Sequence, residues 1–279
     1  MRQLRKCTSS NLSAGTPNCL PDMNKVKGAV VCQKGTKLPA KLTADELEKL
    51  AHADLASRIY GIFTFVEFAR EGGEVQTATT GYGPEEVTGL SARKDTFTLG
   101  KYNPVLHASI IKCHNKPFDV YYFDEDKKLF GVNDGTDLLA GIPMSGIYSN
   151  ATEYNTSSAK PEMTVTFCYE DAKDAAVNWD FTLLDFNPAK LTLGLLPVKF
   201  EKTEAGYKLY EVKGGYDLTP EYGPLIAEAG AAVINGTSSA VSYNDATETL
   251  TVTGSDPISL KAPSVLYDND IKGIEAIAY

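Results

Sequence analysis

The sequence predicts a mainly β fold, an antiparallel β-sandwich or barrel-like domain with flanking α-helices, and three observations predict it. The run Phe118-Asp119-Val120-Tyr121-Tyr122-Phe123 has the β-branched and aromatic content of a strand, and Lys128-Leu129-Phe130-Gly131-Val132 returns from the polar turn Asp124-Glu125-Asp126-Lys127. In Met163-Thr164-Val165-Thr166-Phe167-Cys168-Tyr169, Val165, Phe167 and Tyr169 face one way and the two threonines the other, the alternation of a sheet with one wetter face. From Ala231 onward, short apolar runs alternate with Gly, Asn, Asp and Pro turns at the spacing of a small β domain.

Taken in order, residues 1–40 are rich in Ser, Asn, Gly, Pro and Lys and read as an extended N-terminal arm, whose one compact apolar run, Ala29-Val30-Val31-Cys32, is a short strand. A helix from Thr43 to Ser57 follows. Thr43-Ala44-Asp45-Glu46 is a capping box, Leu42 staples onto Leu47, and Leu47, Leu50, Ala51 and Leu55 form the buried stripe. Ile59 to Phe68 reads as a strand apolar on both faces, turning at Gly72-Gly73 into a polar return from Glu74 to Thr80. Such a hairpin needs two covers. One is its own core; the other is a second internal layer or a neighbouring copy, which makes Ile62, Phe63, Phe65, Val66 and Phe68 the candidate subunit-interface residues.

Gly81-Tyr82-Gly83-Pro84 is a turn and Thr96 to Leu99 a short strand. A second helix runs from Asn103 to Asn115: Asn103 is the N-cap, Pro104 suits the first position, and Lys112 and His114 sit at the negative end of the dipole. Val105, Leu106, Ser109, Ile110 and Cys113 are its stripe towards the sheet. Gly146 to Pro161 is a polar loop, Asp171 to Val177 a short helix, and Leu191 to Lys202 and Tyr207 to Lys213 are strands about a Glu204-Ala205-Gly206 turn. Thr219-Pro220-Glu221 opens a short helical piece interrupted by Pro224. The later runs Ala232 to Asn235, Ala240 to Tyr243, Thr249 to Thr253, Ile258 to Leu260 and Ile274 to Ile277 are short strands. A boundary at Gly214-Gly215 separates a sandwich domain over 41–213 from a small C-terminal β-rich region over 214–279, which is either a small β-sandwich or the completion of the first sheet.

With 279 residues, 43% of them hydrophobic, the chain can bury a substantial core. Its 27 basic and 36 acidic residues give a net charge of -9, which argues against a surface built to grip nucleic acid or anionic lipid. No apolar run approaches the length of a membrane span. No apolar stretch precedes Cys7, so secretion or lipid attachment is not expected, and the odd count of five cysteines fits free thiols in a reducing cytoplasm.

Motifs that carry chemistry are missing. His107 and His114 are two turns apart on one helix, roughly 10 Å by helical rise, too far to share an ion, and Cys113-His114 has no Cys-x-x-Cys partner. Asp124, Glu125 and Asp126, like Asp134 and Asp137 around Gly135, resemble parts of a calcium loop without its full spacing. Gly81 and Gly83 lack the third glycine of a dinucleotide site, and neither a Gly-x-Ser-x-Gly elbow nor a phosphate loop occurs. No catalytic, cofactor-binding or metal-binding residue is expected, nor a cofactor.

The order of the Asn103 helix, the Phe118–Phe123 strand, the acidic turn, Leu129-Phe130-Gly131-Val132, Asn133-Asp134-Gly135 and Met163–Phe167 resembles structural proteins of tailed-bacteriophage virions, above all the tail-tube type, over about Thr96 to Val177. The resemblance implies a β-sandwich with a flanking helix that assembles with copies of itself into stacked rings, of which a hexamer is one arrangement, around a passage for DNA. It also implies other virion proteins as partners, no sequence-specific nucleic-acid binding, no membrane, and a place in the virion after synthesis in the host cytoplasm. A C-terminal immunoglobulin-like domain on the outside is a common addition. No functional residue is carried over. Another virion part such as a head, neck or decoration protein, a bacterial binding or adhesion module, and an unrecognised enzyme are the readings the residues leave open. A conduit for DNA needs self-complementary edges, no active site and a lumen that does not trap phosphates, which the missing motifs and the acidic balance meet.

Overall fold

In a computed structural model that describes residues 23–39, 41–151, 162–235, 240–254 and 257–277, the chain is mainly β, with antiparallel sheets and a few short helices. It divides into two compact units, one comprising residues up to 47 with 59–192, the other 48–58 with 193 onward. The first holds β1 (Val26–Gln33), β2 (Lys37–Pro39), the start of α1 (Ala44–Ala51), β3 (Tyr60–Phe63), β4 (Phe65–Glu71), β5 (Val75–Thr79), β6 (Glu85–Leu90), β7 (Lys94–Leu99), α2 (Pro104–Lys112), β8 (Phe118–Asp124), β9 (Lys128–Asn133), β10 (Leu138–Ala140), β11 (Ile142–Tyr148), β12 (Met163–Tyr169), α3 (Ala172–Val177), β13 (Trp179–Leu183) and α4 (Pro188–Leu191). The second holds β14 (Leu196–Thr203), β15 (Gly206–Glu211), α5 (Thr219–Ala229), β16 (Ile234–Asn235), β17 (Ala240–Asn244), β18 (Thr249–Thr253), β19 (Ser259–Leu260), α6 (Pro263–Tyr267) and β20 (Ile274–Ala276).

Strand β8 organises the first unit. All of its residues are buried, because β1 covers one edge from end to end while the other edge is shared by β11 at Phe118–Val120 and β9 at Tyr122–Phe123. The sheet therefore forks at β8. One arm continues β11-β12-β7-β4 and the other β9-β10-β2, with β13 on the far edge of β9 and β3 on the far edge of β1. Tyr122 points into the main core, where its ring lies 5.4 Å from Phe97 and 5.6 Å from Phe167. Tyr121 points the opposite way, its hydroxyl donating between the Thr36 and Leu139 carbonyls at 2.8 and 3.0 Å and so tying β2 and β10 to β8. Within the second arm, β9 and β10 approach closely at Gly131, where a Cβ would collide with the Ala140 carbonyl oxygen. The Asp124 carboxylate builds the hairpin turn by accepting the Asp126 and Lys128 backbone N–H groups, both at 2.9 Å.

Local signals are kept. The capping box closes with the Thr43 N–H donating to Glu46 at 2.9 Å and the Glu46 N–H to Thr43 Oγ1 at 3.3 Å, and Leu42 and Leu47 are both buried. Asn103 caps α2 at 3.0 and 3.1 Å, and Asp171 caps α3. On α2, Leu106, His107, Ile110 and Cys113 turn inward, whereas Val105 and Ser109 of the expected stripe are exposed. The Thr43 helix stops at Ala51, and Leu55 is 66% exposed in the turns that follow.

Other expectations are corrected. The short strand expected at Ala29–Cys32 is present within β1, but it is interior where the sequence indicates an extended arm over residues 1–40: β1 lies between β3 and β8, with Ala29, Val30 and Cys32 fully buried. Residues 1–22 and Ala40 lie outside the described residues. The run from Ile59 to Phe68 is two strands, β3 on β1 and β4 on β7, so its two apolar faces belong to two places in the sheet. The Ile59–Thr80 hairpin is not formed, because β5 pairs with β6 across the Gly81–Pro84 turn. Gly146 to Tyr148 are strand; of the expected loop, residues 152–161 lie outside the described residues.

The boundary expected at 213/214 falls at 192/193, and residues 48–58 leave the first unit. β14 pairs antiparallel with β15 and parallel with β20, which draws β20 to the strand that opens this unit. Gly214-Gly215 is a turn gathered by the Glu211 carboxylate, which accepts the Lys213 N–H at 2.9 Å and that of Gly214. In place of a second sandwich or immunoglobulin-like sheet, the five-stranded sheet β17-β18-β15-β14-β20 is covered by α5, with Ile226 packed among Val198, Leu209, Leu250 and Leu266. α5 runs to Ala229 through Pro224, longer than the sequence indicates.

Candidate functional site

Strand β4 ends the sheet. It pairs with β7 on one side, has no strand on the other among the described residues, and carries a bulge at Val66. Of the five interface candidates, Ile62 and Phe63 lie on β3, and the bulge sorts the three on β4. Phe65 is 2% exposed and stacks on Phe97 at 4.3 Å, and Ile62 is 4% exposed, so both belong to the subunit's own core and are corrected as interface residues. Phe63 is half-buried, edge-on to Phe123 at 5.0 Å. Val66 and Phe68 are 59% and 57% exposed, Phe68 leaning on Phe97 at 5.1 Å. Covering either would gain about 1.5–3 kcal/mol before association costs.

Beside this edge stands the β5–β6 hairpin, whose strands pair with each other and with no further strand among the described residues. Its root is fixed: Ser91 N–H donates to the Glu74 carbonyl at 2.8 Å, Ser91 Oγ to the Glu74 carboxylate at 2.7 Å, and Gly72 (φ +74°) packs so closely on the Ala92 carbonyl that no side chain fits. Val75, Tyr82 and Val87 are exposed. A two-stranded hairpin alone is marginally stable in water, so this one gains from a covering partner.

Between β4, the start of β1 and β13 lies a cleft of about 400 Å³ with Phe68, Phe97 and Trp179 on its walls. Its floor is a buried polar cluster. Arg93 forks onto Asp95, Nε to Oδ1 at 3.0 Å and Nη2 to Oδ2 at 2.8 Å, and lies over the Tyr169 ring at 4.4 Å. The Tyr169 hydroxyl donates to Asp95 Oδ2 at 2.7 Å. Burial pulls the Arg93 guanidinium down, but its hydrogen bonds to Asp95 together with the nearby Tyr169, Asp95 and Tyr122 charges outweigh that and hold it above its ordinary value. Burial raises Tyr169, as does the Asp95 charge, and raises Tyr122 well above the usual phenol. The Tyr122 hydroxyl is buried next to that of Tyr169. Lys25, Lys27, Asn24 and Glu67 form the rim.

The remaining chemistry-bearing residues have local duties. His52 Nε2 accepts the Gly273 N–H at 3.0 Å, so Nδ1 carries the proton to the Glu48 carbonyl at 2.8 Å; His107 Nε2 donates to the Asn150 carbonyl at 2.8 Å. Asp134 binds the Thr136 N–H at 3.0 Å and pairs with Lys37, and hydrogen bonds from Lys37 and Thr136 hold its carboxyl well below the usual range. Cys32 is buried and Cys113 and Cys168 half-buried as free thiols; Cys7 and Cys19 lie outside the described residues. No helix among the described residues is long and apolar enough to cross a membrane.

Sequence reasoning missed the cleft. A signal existed: Arg93 and Asp95 sit two apart, hence on one face of the β7 region, just before the apolar alternation Phe97, Leu99. No known protein family matches the chain, and no curated protein matches it.

Proposed function

We propose that the protein is a structural subunit that assembles with copies of itself, as a tail-tube-type component of a phage virion, into rings or a tube through which DNA passes. The observation that carries this reading is the edge of β4, which has no further strand on it among the described residues and carries the exposed Val66 and Phe68, next to a hairpin with exposed apolar side chains whose strands pair only with each other among those residues. Such edges template further strands or dock on a second subunit, and a conduit needs them on every copy. The net charge of -9 supports a wall past which phosphates move without sticking. Asp124 and Asp134 hold turns and the Arg93–Asp95 pair braces strands, which fits a building block better than a catalyst. Negative-stain images of the purified full chain test the reading: rings or tubes with a central channel support it, and isolated particles of single-chain size at every concentration and ionic strength overturn it.

A further inference from the structure

We infer that the β5–β6 hairpin of one copy seats Tyr82 in the cleft beside Arg93 and Trp179 of a second copy. This names the knob and the hole of the self-assembly proposed above and rests on that reading.

Tyr82 stands fully exposed at the hairpin tip, between Gly81 (φ +62°) and Gly83, in a turn closed by the Gly83 N–H donating to the Thr80 carbonyl at 3.1 Å. A fixed turn presents the ring at little entropic cost, and a rigid aromatic on a rigid stalk is the kind of anchor that dominates protein interfaces. The hairpin's root adjoins Arg93, which is itself part of the cleft floor, while a five-residue strand at about 3.3 Å per residue carries the tip roughly 17 Å away. Tyr82 is fully exposed and does not line the cleft of its own copy, so the cleft it enters is another copy's.

The cleft suits that ring. Its walls are aromatic, and its volume of about 400 Å³ admits one phenol with its flanking backbone. Arg93 spends Nε and Nη2 on Asp95. Charge agrees as well. From Glu74 to Leu90 the hairpin carries Glu74, Glu85 and Glu86 and no Lys or Arg, whereas the rim offers Lys25 and Lys27, the latter 4.0 Å from Glu125 of the neighbouring turn, together with Glu67, Asp95 being neutralised by Arg93. Knob and hole lie on different surfaces of one subunit, so the contact is head-to-tail and propagates into a ring or a filament.

Trp179, the single tryptophan, lies in the cleft and reports on it. In the full-length protein, assembly should protect Trp179 from acrylamide quenching. Tyr82→Ala, which alters no packed contact, should raise the concentration needed for assembly by about tenfold or more and leave Trp179 quenchable, with an unchanged thermal melt. Phe68→Lys, at the cleft wall, should likewise raise that concentration and leave Trp179 quenchable, with a thermal melt lowered by the loss of its contact with Phe97 but still cooperative. Mixed in equal amounts, the two variants should form a discrete dimer, the intact Tyr82 of the Phe68→Lys chain entering the intact cleft of the other. If wild type assembles and Tyr82→Ala assembles equally well, some other surface or the residues before Met23 cover the cleft; the inference falls and the assembly reading stands. If wild type does not associate at all, both fall.

Discussion

Replacing Asp95 by Asn removes the counter-charge of Arg93 at a position that is 2% exposed. The wild-type carboxylate accepts three hydrogen bonds, at 3.0 and 2.8 Å from Arg93 and 2.7 Å from Tyr169. The substituted amide turns one of the two acceptor oxygens into a donor, and in either orientation that donor faces a guanidinium N–H. At least one charge-assisted bond, about 1.5–3 kcal/mol, is lost, and the guanidinium keeps its charge without compensation. Stranding one partner of a buried pair costs about 3–5 kcal/mol. Because the Arg93 side chain keeps 20% exposure, water recovers part of this, and the expected loss is about 2–4 kcal/mol. Trp179 belongs to the same unit, so its fluorescence in urea follows that unit specifically, and the midpoint should fall by about 1–2 M. Replacing both members with apolar residues, Arg93→Met with Asp95→Leu, should cost less than Asp95→Asn alone. A midpoint for Asp95→Asn within about 0.2 M of wild type would refute the view that this cluster braces the β7–β12 region.

Three other outcomes are expected. Thr43→Ala should cost about 1 kcal/mol by removing the α1 cap, read from circular dichroism melts; the hydrogen bonds from the Thr43 backbone and hydroxyl hold Glu46 below its ordinary 4.5, so this contribution is present above that pH and fades as pH falls through the lower folded value, a dependence that Glu46→Gln should abolish. Burial, then the neighbouring Asp119 charge, push the Cys32 thiol up to about 12, leaving about one thiolate in ten thousand at pH 8, so iodoacetamide with mass spectrometry should find Cys32 unmodified in folded protein and modified in urea; equal labelling in both would contradict its burial under β8. Gly131→Ala should lower the urea midpoint by the equivalent of about 1–3 kcal/mol, since its Cβ meets the Ala140 carbonyl; a neutral result would mean that β9 and β10 separate easily.

Elements whose signals are local were legible in the sequence. The Asp124 turn, the Thr43 capping box, the Asn103-Pro104 start and the Asp171 cap each depend on residues within a few positions, and each formed. What required distant partners was not legible. β1 looks like a short apolar run in a polar arm because its neighbours, β3 and β8, come from elsewhere in the chain. β11 runs on through Gly146, where the sequence reads as the start of a polar loop, because it changes neighbour from β8 to β12 along its length. The interface candidates split for the same reason: the bulge at Val66, invisible in composition, buries Phe65 and exposes Val66 and Phe68. The cleft floor joins Arg93 and Asp95 near β7, Tyr122 on β8 and Tyr169 on β12, a juxtaposition that only the sheet order creates.

The central claim is that each copy of this chain carries both halves of a contact with the next. Light scattering of the purified full-length protein across a concentration series, with the Tyr82→Ala and Phe68→Lys variants alone and mixed, measures this most directly. The account predicts a mass that grows with concentration for wild type, that of one chain for each variant, and that of two chains for the mixture. A wild-type mass fixed at one chain over the whole series would contradict it.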